Sequence, residues 1–183
     1  MPDKDDALKS VRARIRTVPD FPKPGISYKD ITPLIEDGTA LHATTDALHR
    51  ATSHLGYDLI LSAEARGFVF GTALAYRAEK GLVLARKPNK LPRTTISATY
   101  DLEYGTDTLE AHADSMGEGA RVLVCDDLLA TGGTARAMCD LVENAGGTVV
   151  GVAFVIELGY LEGRDRLAPY EVISLVTYAT PDD

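Results

Sequence analysis

The sequence predicts a single α/β domain with a mostly parallel central sheet flanked by helices, and three features of its 183 residues point there. From Tyr57 onward, short apolar runs alternate with segments of helical periodicity, the pattern of βαβ units. One apolar run, 121–125, leads through two adjacent aspartates into a glycine-threonine turn and then a helix. A hydrophobic fraction of 45% with 25% charged residues is ordinary globular composition, so one compact core is expected. No repeat or low-complexity tract divides the chain.

Taken in order, Ala7, Val11 and Ile15 recur at helical spacing among charged residues and predict an amphipathic first helix that ends before Pro19. Pro19, Pro22, Pro24 and Pro33 follow. Proline lacks the amide donor, so this stretch can be neither an interior helix nor a central strand, and it is expected to form an irregular lobe. Leu41, Thr45, Leu48 and Leu55 mark a second helix, capped by Asp37 or Thr39 and closed at Gly56. Then come a strand at 58–62, a helix at 68–80 and a strand at 82–86. Residues 94–104, rich in Thr, Ser and Tyr, suit an exposed hairpin or mobile loop better than a buried element. A strand at 121–125, a helix at 134–144 ended by Gly146 and Gly147, and a strand at 148–157 complete the series. This order gathers the loops that follow each strand at one end of the sheet, where open α/β folds bind ligands.

Several function classes are excluded. Cys125 and Cys139 are the only cysteines and lack metal-ligand spacing, so a disulfide framework or structural zinc is not expected and a reducing cytoplasm fits. Residues 1–10 are polar and the longest apolar run, 149–158, is too short to span a bilayer, so neither secretion nor membrane insertion is expected. The net charge of -8 opposes non-specific binding to nucleic acid or an anionic membrane and leaves a small molecule as the natural ligand. His42, His49, His54 and His112 are expected to be surface or satisfied residues rather than metal ligands. Glu110, Asp114 and Glu118 read as a solvated face, and Cys125 as a buried, inert thiol.

The chemistry lies in 122–134. Ala130, Thr131, Gly132, Gly133 and Thr134 can present successive amides to a phosphate, because glycine permits close approach and a helix N-terminus favours negative charge. Asp126 and Asp127 would repel that phosphate directly, so their partners are neutral hydroxyls or a metal one sugar-length away. A ribose carrying a 5-phosphate satisfies both ends. No Lys follows the last glycine, as a nucleotide-triphosphate loop requires, and no GxGxxG is present.

The stretch VLVCDDLLATGGT resembles the phosphoribosyl-pyrophosphate (PRPP) motif of the type I phosphoribosyltransferases. DFPKPGISYKDITP, SAEARGFVFG and RKPNKLPRTTISATYDLEYG resemble the bacterial adenine branch of that family, so the likeness runs from Asp20 to Leu158. Asn89 stands where the family commonly has Gly, and Tyr28 where Phe is also found. The resemblance implies the type I fold, with a small base-binding hood formed by 19–35 and 158–183 and a mobile hairpin. It implies transfer of the phosphoribosyl group from PRPP to adenine, giving AMP and pyrophosphate, with Mg2+ carried by PRPP and no direct protein ligand. It also implies a homodimer.

By the same resemblance, Asp126 and Asp127 bind the ribose hydroxyls and Ala130 to Thr134 the 5-phosphate. Glu64, Ala65, Arg66, Lys87 and Lys90 face pyrophosphate, with a cis peptide at Glu64–Ala65. Glu103 is the acid/base residue and Tyr104 closes over the reacting centre, Arg66 being counted with them as catalytic. Tyr28 and Leu158 sandwich adenine, and the backbones of Ser27 and Lys29 read its edge. Two alternatives stay open: a transferase for another base such as xanthine or orotate, and a regulator that senses PRPP without catalysis.

Overall fold

The computed structural model describes residues 4–101 and 105–183. In chain order the elements are α1 (Lys4–Ala13), β1 (Arg16–Pro19), β2 (Ser27–Asp30), α2 (Thr32–Glu36), α3 (Gly38–Thr52), β3 (Leu59–Ala63), α4 (Gly67–Ala78), β4 (Gly81–Ala85), β5 (Thr95–Asp101), β6 (Thr106–His112), β7 (Arg121–Leu129), α5 (Gly133–Asn144), β8 (Thr148–Leu158) and β9 (Val172–Tyr178). Single 3-10 turns follow α3 and fill the connection from β8 to β9. No described helix is long and apolar enough to cross a membrane.

The central sheet has the order β4-β3-β7-β8-β9, and all four pairings are parallel. Its strands are apolar on both faces because both are covered. Residues alternate along each strand between two cores. Ile60, Leu123, Cys125, Ala153 and Val155 pack with α1, α3 and α4, whereas Leu61, Ala63, Val122, Val124, Val152 and Phe154 pack with α5 and the β5–β6 hairpin. Local chemistry sets the helix ends. Asp37 Oδ1 caps α3 by accepting from the amides of Thr39 (3.0 Å) and Ala40 (3.1 Å), and Gly56, at φ +61°, closes the turn after it.

Four expectations are corrected. The proline-rich lobe is not irregular: β1 and β2 pair antiparallel, with Val18 opposite Tyr28, and Pro33 sits in the first turn of α2, where a missing amide costs nothing. The first helix stops at Ala13, although Ile15 is still buried beyond it. Within 94–104, Thr95–Asp101 form β5, which pairs with β6 as one half of the expected hairpin, but that hairpin buries Ala98, Leu109 and Ala111 and so is not merely exposed. Within 158–183, assigned above to the base lobe, β9 is the last strand of the central sheet. Only the end of that segment reaches the lobe: Ser27 Oγ donates to Pro181 O (2.7 Å), and Lys29 Nζ donates to Pro181 O (3.1 Å) and Asp183 O (2.7 Å).

Candidate active site

In a parallel sheet whose strand order reverses between its first and third members, the crevice lies beyond the carboxyl ends of the strands at the reversal. Here that point is between β3 and β7. A cleft of about 470 Å3 opens there, lined by Glu64, Ala65 and Arg66 after β3, Lys87 after β4, Tyr100 and Leu109 of the hairpin, and the run from Asp126 to Ala135. The structure thus brings together every residue expected at PRPP except Lys90, which is exposed, does not line the cleft and acts on Glu64 through its charge.

Strand β7 runs further than expected and carries the acid pair within it. Its ladder to β3 ends at Cys125, while its ladder to β8 continues through Asp126 to Leu129. The edge that β3 vacates is taken by the start of α4: a Cβ at Gly67 would collide with Asp126 Oδ1, so only glycine lets the helix settle against this carboxylate. Asp126 Oδ1 accepts from the Asp127 amide (2.9 Å), and Asp127 Oδ2 lies 2.8 Å from Arg66 Nε. Burial, reinforced by the charge of Asp127, pushes the Asp126 carboxyl well above the usual carboxylate range. Burial also raises Asp127, with Arg66 opposing.

Beyond the pair, the chain turns at Gly132 (φ +84°) into α5. No side chain caps this helix, and among the described residues no loop carbonyl takes the amides of Thr131 to Ala135. These donors face the cleft beside the threonine hydroxyls, the arrangement that binds a phosphate.

The cationic side is already paired. Lys87 Nζ bonds Asp107 Oδ2, to which Tyr100 Oη also donates (3.2 Å). Burial works against the Lys87 charge, but the hydrogen bond and charge of Asp107 prevail and raise its pKa above the ordinary lysine value. The Glu64 side chain turns aside, accepting from the Lys87 amide (2.5 Å) and lying 3.4 Å from Arg86 Nε; burial would raise its pKa, and these two donors bring it below normal. The Glu64–Ala65 peptide is cis. Asn89, where the family commonly has Gly, adopts φ +64°, a conformation asparagine tolerates.

Arg66 joins the two halves of the site. Besides Asp127, its guanidinium bonds Tyr28 Oη and lies 5.6 Å from the Tyr28 ring, which Phe21 meets edge-on at 5.0 Å. Tyr28 therefore stands beside the cleft, with Ser27 and Lys29 flanking it on β2. Leu158 is buried in the core at the end of β8 and does not line the cleft. Glu103 and Tyr104 lie outside the described residues.

The reading of residues missed Asp107, Tyr100, Arg86 and Gly67. A signal for Asp107 existed: it shares one face of β6 with buried Leu109 and Ala111, and a carboxylate on an apolar face needs a cation. Cys125 is buried as expected, and Cys139 is buried as well. Glu110 is not simply solvated, since its side chain accepts from the Asn89 amide (3.1 Å) and its backbone bridges to Arg86.

Residues 51–181 match the family model of the phosphoribosyl transferase domain. Adenine phosphoribosyltransferase of Rubrobacter xylanophilus is 67% identical to this chain over 95% of each sequence. The crystal structure of the enzyme of that name from Thermoanaerobacter pseudethanolicus is 50% identical and superposes with a TM-score of 0.92 over 93% of this chain and 99% of its own. The yeast enzyme from Saccharomyces cerevisiae, solved with an imino-altritol bisphosphate and adenine, is 32% identical with a TM-score of 0.88 over 93% of this chain and 99% of its own. With the fold, the cleft and these likenesses in agreement, the chain belongs to the phosphoribosyltransferase family and, within it, to the adenine phosphoribosyltransferases.

Proposed function

We propose that this chain transfers the 5-phosphoribosyl group of PRPP to adenine, forming AMP and releasing pyrophosphate. The observation that carries the reading is the pairing, in one cleft, of buried carboxylates Asp126 and Asp127 with the uncapped N-terminus of α5. The carboxylates accept hydrogen bonds from ribose hydroxyls, and the amides and threonine hydroxyls of 130–134 hold the 5-phosphate. A sugar phosphate fixed at both ends leaves its anomeric carbon a defined place.

Departure of pyrophosphate leaves positive charge on the ring, so the leaving group must be held and water excluded. Arg66, Lys87, Lys90 and the backbone of 64–66 take this task, Arg66 and Lys87 exchanging Asp127 and Asp107 for the incoming anion. Among the described residues no three His, Cys, Asp or Glu side chains converge as a metal cage, whereas the acid pair offers the hard oxygens that suit Mg2+. Mg2+ carried by PRPP would neutralise charge on the leaving pyrophosphate. Adenine lies against Tyr28, with the backbones of Ser27 and Lys29 at its edge. Glu103 takes the imidazole proton as the new bond forms, and Tyr104 covers the centre.

The closing test incubates the chain with PRPP, Mg2+ and each free base in turn. AMP and pyrophosphate from adenine are expected; product from orotate or a 6-oxo purine alone overturns the reading. Glu103→Gln is expected to lower kcat by about 100- to 10,000-fold while PRPP binding is little changed. Equal losses in both remove Glu103 from the proton-transfer role. A cytoplasmic homodimer completes the proposal, supported by the exposed Tyr76 of α4 and Leu84 of the edge strand β4, and sedimentation as a monomer contradicts it.

A further inference from the structure

The phosphate loop opens toward the cleft in front, and behind it stands a segment from much later in the chain. Gly163, buried between β8 and β9, is pressed onto the loop backbone. A Cβ at Gly163 would overlap Ala130 O and stand 2.9 Å from Gly132 N; a Cβ at Gly132 would stand 2.5 Å from Gly163 O and 3.3 Å from Arg166 Cβ. Two backbones can approach this closely only when both residues are glycine.

The next residue explains what keeps Gly163 there. Arg164 grips Glu157 with two prongs, Nε to Oε1 (3.0 Å) and Nη2 to Oε2 (2.5 Å), and its Nη1 donates to Val172 O (2.7 Å) at the start of β9. Glu157 is nearly buried on β8 and lies in register with Leu129, the residue before Ala130. The contacts close a ring: Leu129 beside Glu157, Glu157 to Arg164, Arg164 joined to Gly163, and Gly163 against Ala130 and Gly132. Burial alone would raise the Glu157 carboxyl, but the two bonds from Arg164 help bring it below its ordinary value, so the pair is ionised at neutral pH.

We propose that Gly163 is the backstop of the phosphate loop and that the Glu157–Arg164 pair holds it in place, making all three positioning residues for the sugar phosphate. This rests on the reading of 130–134 as the phosphate loop. A pair that merely stabilised the fold would affect both substrates alike; a backstop affects the phosphate.

The test titrates the full chain with ribose 5-phosphate and measures KM for PRPP and for adenine. Binding of ribose 5-phosphate by the unaltered chain checks the loop reading separately. Gly163→Ala is then expected to weaken ribose 5-phosphate binding by about 10- to 100-fold, since displacing a positioned group by about 1 Å costs up to about 100-fold, and to raise KM for PRPP but not for adenine. Gly38→Ala, where the added methyl meets open space, should leave ribose 5-phosphate affinity unchanged. Arg164→Lys keeps the charge but loses the two-pronged grip, and should give the same selective loss on a smaller scale. Unchanged ribose 5-phosphate affinity in a folded Gly163→Ala, or in Arg164→Lys should the glycine variant not fold, overturns the proposal. So does an equal loss toward adenine.

Discussion

Asp126 bears the largest electrostatic cost in the cleft, because its carboxylate is buried beside a second carboxylate whose partner Arg66 does not reach it by a hydrogen bond. The sign of the consequence follows from linkage. A carboxyl whose pKa is raised on folding binds its proton more tightly in the folded chain than in the unfolded one. Its contribution is therefore most favourable below the ordinary carboxyl pKa and is lost as pH climbs through the raised value. Asp126→Asn, which carries no charge, is expected to melt at a higher temperature than the parent at neutral pH, with the gap closing on acidification. The same change should weaken ribose 5-phosphate by about 10- to 100-fold, the worth of roughly 1.5–3 kcal/mol for a hydrogen bond to a charged acceptor. A variant no more stable at neutral pH would contradict the buried-charge account. Gly67→Ala acts on the same atom from outside, driving a methyl into Asp126 Oδ1, and should reduce phosphoribosyl transfer even in protein that folds normally.

At the cleft β6 meets the end of β4, although β5 lies between them in sequence. The β5–β6 hairpin is tied to the end of β4 by the Lys87–Asp107 bond and by the backbone bridge between Arg86 and Glu110. If Lys87 exchanges Asp107 for pyrophosphate, one of these ties is released whenever the leaving group is bound. Lys87→Gln is accordingly expected to speed amide exchange in β5 and β6 and to weaken inhibition by pyrophosphate about tenfold, the scale of one lost charge-assisted bond. Exchange at the parent rate would show that Asp107 does not hold the hairpin through Lys87. The α4 helix is placed by similar economy of side chain: glycines at 67 and 71 bring it onto Asp126 and onto Ser62, where a Cβ would strike each partner. Ser62 in turn donates to Cys125 O (2.5 Å), stitching β3 to β7 beside the acid pair.

Across the whole molecule, the β1–β2 lobe, proposed to hold the base, and the residues after β9 are held together by one buried cation. Lys29 Nζ donates to Thr17 Oγ1 (3.0 Å), Pro181 O and Asp183 O, and lies 4.3 Å from the Tyr178 ring centre, on a side chain only 2% exposed. Lys29→Met would take this donor from Thr17 Oγ1 and Asp183 O, while Pro181 O keeps Ser27 Oγ, and is expected to lower unfolding stability by about 1–3 kcal/mol in denaturant titration, with KM for adenine rising more than KM for PRPP. Equal changes in both would separate Lys29 from the base lobe. Nothing near Lys29 in sequence announces this role. The alternation of apolar runs from residue 57 onward was enough to determine a parallel sheet, because a strand buried on both faces must be apolar along its length. The order of strand, acid pair, glycine turn and helix was enough to locate the cleft proposed to hold the sugar phosphate, because those features are contiguous and their chemistry is local. The position of β9 at the sheet edge, the burial of Lys29 by carbonyls up to 154 residues later, the Asp107 partner of Lys87 and the Gly163 contact behind the loop were decided only by tertiary structure. Each depends on which distant backbone comes to lie alongside, and periodicity and spacing record only a residue's neighbours along the chain.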